Sequence, residues 1–194
     1  MQTIQTTNNL SSRAIGSMIF TGFGALWFVL GLYVRQQLSA ANVAWVAGGV
    51  LALAALCTHV LRLAEPSPVS PDDAGRNRAF HTVNAAQWVA VFIVLTILRR
   101  LHLDAYGVAA IAAIVGLHLF PLARLFRNPL HYATGTALVA WAACVSWLAP
   151  AATMQGIIAL GAGTILWLAA AVTMTIALYA LRGSAQFADR PRVA

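Results

Sequence analysis

The chain has 194 residues, of which 60% are hydrophobic and 9% charged, and its mean hydropathy is +0.77. A soluble domain carries charge on about a quarter of its residues, so these figures argue against one, and they also exclude a disordered chain. The formal charge of +7 comes from twelve arginines, with no lysine, against five acids.

Apolar runs of nearly membrane-spanning length recur along the chain, and six spans are expected. Met1 to Ser12 is polar and uncharged and lacks the basic start and small-residue cleavage site of a secretory signal, so the first apolar run is expected to be retained. Span one covers about 14–34, between Arg13 and Arg35, and span two about 39–63. A polar connection with Glu65, Pro66, Pro68, Pro71, Asp72, Asp73, Arg76 and Arg78 follows. Span three covers about 80–98 and stops at Arg99 and Arg100. Span four covers 104–123, with Asp104 as expected N-cap. Spans five and six cover about 131–148 and 154–181, and a short polar tail closes the chain. The runs are continuous and do not alternate, which favours helices over a lipid-facing barrel. The expected fold is therefore all-α, a single six-helix transmembrane domain.

Arginine placement gives the orientation. With six spans, nine arginines share the side of both termini and only Arg35, Arg99 and Arg100 fall on the other, which places both termini in the cytoplasm. The positive charge is thus accounted for by topology. No basic stripe with interleaved aromatics points to nucleic acid, and the expected partner is the lipid bilayer. Rows of small residues offer close helix packing: Ala40, Ala44, Gly48 and Ala52 on span two, Gly16 and Gly24 on span one, and Ala159 and Gly163 on span six. They serve the bundle itself, or a homo-oligomer or membrane partner. Cys57 and Cys144 differ in depth by roughly 10 Å, too far for a disulfide, and read as small core residues.

Polar groups at membrane depth are costly and are candidates for function. His81, Asn84 and Trp88 recur at helical spacing on span three, and Gln87 borders them. Gln87 and His118 fall at similar depth, roughly 9–10 Å from the inner end at 1.5 Å per residue, with Thr58 and His59 slightly nearer the cytoplasm. A polar layer shared by spans two, three and four is expected. Pro121 should kink span four and leave the Leu117 carbonyl without its helical partner, beside His118. His118 reads either as interhelical glue, bonded to Asn84 or Gln87, or as a ligand or proton site. Arg62, Arg124 and Arg127, with Glu65, surround the inner mouth, and Arg124 and Arg127 are spaced to share a helical face.

No catalytic motif, phosphate loop or paired carboxylates occur, and no histidine pair has metal-ligand spacing. No cofactor is expected; a haem b would have to use histidines of separate helices, of which His59 and His118, at slightly different depth, are the least unsuitable pair. The segments Asn84-x-x-Gln87-Trp88 and Gly116-Leu-His118-x-x-Pro121-Leu-Ala-x-x-Phe126 resemble a group of small, uncharacterised bacterial multi-pass membrane proteins. That resemblance implies a six-helix protein of the bacterial plasma (inner) membrane and carries no catalytic residues with it. Three functions stay open. The first is a permease or channel-like protein with a small-molecule substrate at the inner polar layer. The others are a structural or accessory subunit, and a membrane enzyme or cofactor carrier.

Overall fold

A computed structural model describes the backbone of residues 2–64 and 72–188 and the side chains of 10–64 and 75–182. Six α-helices make up this structure: α1 (Gln2–Val34), α2 (Ala40–Leu63), α3 (Asp72–Arg100), α4 (Gly107–Leu125), α5 (Pro129–Leu148) and α6 (Ala151–Ala188). Five of them are long and apolar enough to cross a membrane. The exception is α5, whose first turns hold His131, Tyr132, Thr134, Gly135 and Thr136 among its apolar residues.

Three helices extend well past the expected spans. α1 begins at Gln2, α3 at Asp72 and α6 ends at Ala188, so the helical ladder outlasts the apolar stretch. Charge ends a membrane span but is no obstacle to helix hydrogen bonding, and Asp-Asp after Pro71 is a favourable helix start. Glu65 and the prolines that follow it lie outside the described residues. Asp104 is not the N-cap of α4; it opens a short 3-10 turn, Asp104–Tyr106, and no side chain caps either element. Its carboxylate instead stands 4.0 Å from Arg99 on the exposed rim.

Tight turns join the helices. Gln36, His102 and Arg127 each adopt a left-handed backbone (φ 55, 57 and 49°) just past a helix. In each turn the following N–H reaches back five residues, as from Gln37 to Leu32 O at 2.8 Å, which satisfies a helix-end carbonyl. After two of these turns the next helix is capped on entry: Ser39 accepts from Asn42 N at 3.2 Å, and Asn128 accepts from Leu130 N at 3.2 Å with Pro129 at the first helical position.

The helices are not packed equally. α1 and α6 form the main pair, with α2 against both. α4 and α5 form a second pair, which joins the first through α6. α3 leans chiefly on α4, and no residue from Gly75 to Arg100 is buried. α2 and α3 therefore sit on different flanks of the bundle. The main core joins Phe20 and Trp27 of α1, Ala112 and Leu119 of α4, Leu138 of α5, and Ile158 of α6. A smaller core holds Ala14, Cys57, Val60 and Met174.

Glycines set the two close pairs. A Cβ on Gly116 would lie 2.7 Å from Gly135 O, and a Cβ on Gly163 2.9 Å from Gly24 O, so each helix pair meets backbone to backbone. Indoles fill the space beside such contacts. Trp167 lies against Gly24 and Gly49 and donates Nε1–H to Thr21 O at 3.0 Å; Trp141 lies against Gly161 and donates to Ile157 O at 3.4 Å. Gly24, Ala159 and Gly163 thus serve helix packing, as their small size suggested. The row Ala40, Ala44, Gly48 and Ala52 does not: all four are exposed, and nothing lies within 4 Å of a Cβ on Gly48. Gly49, one position round the helix, faces the bundle instead. Of the cysteines, Cys57 is a core residue while Cys144 is exposed, and both are free.

Gly116→Ala will push α4 from α5 and destabilise the fold by about 1–3 kcal/mol, whereas Gly48→Ala, with open space and a better helix former, will stabilise it by about 0.5–1 kcal/mol. Reversible unfolding in mixed micelles measures both, and equal effects would contradict this packing.

Candidate functional site

Asn84 of α3 and His118 of α4 meet directly. His118 Nε2 and Asn84 Oδ1 are 3.1 Å apart, so the Nε2–H tautomer donates to the amide carbonyl. Among the described residues this is the one side-chain to side-chain hydrogen bond joining two helices. It lies on the half-buried face that α3 turns to the bundle, which runs from Phe80 to Leu98; Phe80 and Val83 pack on the core just beside it. Helical spacing from Phe80 and Val83 to Asn84 and Gln87 accounts for the arrangement, since all four fall within one broad face. Gln87 is half-buried on that face, while Trp88 and His81 are exposed. The His81 ring meets Phe80 edge-on at 5.7 Å, and Phe80 meets Phe126 at 5.9 Å.

His131 joins this region although its position at the start of a span gave it no special weight. It is half-buried, its ring 5.3 Å from Phe20 of α1, and it stands within electrostatic reach of His118. Asn128 Nδ2 donates to His131 Nδ1 at 3.2 Å, which leaves the proton of a neutral ring on Nε2. The sequence signal that could have found it is Asn128-Pro129: an N-cap followed by proline fixes the helix start and hence where the next residues point. The polar set around His118 is therefore Asn84, His131 and Asn128, drawn from α3, α4, α5 and the turn before it.

His59 is not part of it. The residue is exposed on α2, and α2 packs on α1 and α6 and not on α4, so the expected three-helix polar layer reduces to α3 and α4 with the start of α5. His59 and His118 are not brought together as two axial haem ligands would require. No three His, Cys, Asp or Glu side chains cluster as a metal site among the described residues. Arg62, Arg124 and Arg127 are all exposed, with Arg62 on the α2 flank. Arg124 and Arg127 do not share a helical face, because α4 ends at Leu125 and Arg127 has turned left-handed. Glu65 lies outside the described residues.

α4 runs through Pro121 to Leu125 as one helix. Two crevices mark the bundle surface. One, of about 350 Å³, is lined by Phe120, Pro121, Arg124 and Tyr132; the other, of about 220 Å³ at the far end, is lined by Val34, Arg35, Gln36, Ala152, Thr153 and Gly156. Neither is lined by Asn84 or His118.

Comparisons with protein-family models, with curated proteins and with solved structures give no match to this chain. The helical architecture and its apolar segments define the class: an all-helical chain compatible with a multi-pass membrane protein.

The Asn84–His118 bond will show a coupling of about 0.6–1.7 kcal/mol in a double-mutant cycle of Asn84→Ala, His118→Ala and the double variant. A coupling near zero would mean that the two side chains do not bond in the folded protein.

Proposed function

We propose that the chain is a six-span membrane protein of permease or channel-like type, with both termini in the cytoplasm and its polar site at Asn84, Gln87 and His118 in the cytoplasmic half. The single observation that supports it is the Asn84–His118 bond between α4 and an α3 that is unburied along its whole apolar length. A helix held on one main neighbour can move without breaking the core, and the bond is the polar latch of that movement. Opening it exposes His118 and Gln87, an imidazole and an amide that bind a polar solute or pass a proton by hydrogen bonding. The α5 span, less apolar than the rest, crosses as a helix shielded by α4 and α6. The arginine asymmetry supports the orientation, and the bacterial inner membrane is the location implied by the resemblance in α3 and α4.

A structural or accessory subunit is the second reading. The exposed row Ala40, Ala44, Gly48 and Ala52 favours it, since such a row suits close approach of a further helix.

Proteoliposomes loaded with a pH-sensitive dye, and light scattering with urea or glycerol outside, test the first reading. Wild-type protein is expected to raise proton or solute flux above protein-free vesicles, and His118→Ala and Gln87→Leu to abolish the increase while the protein stays folded. Wild-type flux equal to that of empty vesicles, with a native mass showing a stoichiometric partner, would replace it by the second. For the orientation, a fluorescent reporter fused after Ala194 is expected to be active, and an export-dependent phosphatase at the same place silent; the reverse would invert the topology.

A further inference from the structure

We propose that the crevice between α4 and α5 is a binding site for the phosphate of an anionic glycerophospholipid, with Arg124 as its charged anchor. Its shape follows from the glycine contact. α4 and α5 touch at Gly116 and Gly135, and beyond that crossing the space between them is wedged by Phe120 and Tyr132, whose rings meet edge-on at 5.6 Å. What remains outside the wedge is the crevice of about 350 Å³ lined by Phe120, Pro121, Arg124 and Tyr132.

Its chemistry is divided along one line. Leu117, Pro121 and Arg124 follow each other at spacings of four and three, so they form a single stripe on α4, and all three are exposed. Leu117 and Pro121 offer an apolar track for an acyl chain, and the guanidinium stands at its end, where the apolar stretch stops. Arginine binds phosphate through two parallel N–H donors, a geometry that suits a phosphodiester. Among the described residues neither the Arg124 guanidinium nor the Tyr132 hydroxyl has a hydrogen-bond or ion-pair partner. The one acid among the described side chains, Asp104, lies at the opposite end of α4 beside Arg99. The end of α4 and the start of α5 contribute partial charges of opposite sign, so the guanidinium sets the sign of the site. An apolar track ending in an unpaired guanidinium matches a lipid with a negative headgroup and gives a zwitterionic one no equal advantage.

The test uses the full chain, gently purified, and native mass spectrometry with added phosphatidylglycerol or phosphatidylcholine of matched chains. Wild type is expected to retain phosphatidylglycerol in preference by about fivefold (about 1 kcal/mol), Arg124→Gln to lose that preference, and Arg124→Lys to keep part of it. Arg99→Gln, at the other end of the bundle, should change nothing. Undiminished phosphatidylglycerol retention by Arg124→Gln, or equal retention of the two lipids by wild type, overturns the proposal. Full displacement of phosphatidylglycerol by excess inorganic phosphate overturns the lipid assignment in favour of a free anion. Since Arg124 is exposed and outside both cores, its variants fold, and a circular dichroism spectrum identical to wild type confirms that.

Discussion

Backbone approach at glycine is the constraint on which this bundle rests. Apolar side chains gain nothing by leaving lipid for a helix neighbour, so association relies on close van der Waals contact and on polar groups that find partners. Gly24 against Gly163 and Gly116 against Gly135 provide the contact. Two tryptophans then use the space that glycine leaves, and each also places an indole N–H on a backbone carbonyl of another helix. Volume and hydrogen bonding are satisfied by the same side chain.

The polar cluster follows from those contacts. With α4 held against α5, the turn at Arg127–Asn128 is short and the N-cap Asn128 fixes His131 near His118. With α1 held against α6, Phe20 reaches the His131 ring. Only α3 lies outside this chain of constraints. It has no glycine contact of the close kind, and its link to the bundle combines a half-buried stripe, from Phe80 and Val83 to Leu95 beside Gly107, with the Asn84–His118 bond. The one helix without a buried residue and the interhelical polar pair therefore coincide.

Much of this was legible beforehand. All six helices were expected, and Asn84 was one of the two partners, with Gln87, expected for His118, although the depth match favoured Gln87. Helices run past the expected spans where polar sequence flanks the apolar run, at the starts of α1 and α3 and the end of α6, because hydropathy reports the solvent of a residue and not its backbone hydrogen bond. His59 and the Ala40–Ala52 row were misplaced for a different reason. Both lie at suitable depth or spacing, yet they face away from the bundle.

Sequence by itself determined the all-helical class and an expected depth for each residue: arginines, prolines and apolar run lengths predict where a side chain falls along the bundle axis, since charge is excluded from hydrocarbon whatever the helix packs against. Tertiary structure alone decided which helices are neighbours and which face each one turns inward. The inner and outer faces of a helix in lipid are equally apolar, so hydrophobic periodicity carries little azimuthal information. That is why Gly49 and not Gly48 meets Trp167, why His131 and not His59 completes the surroundings of His118, and why Arg124 lines the crevice between α4 and α5.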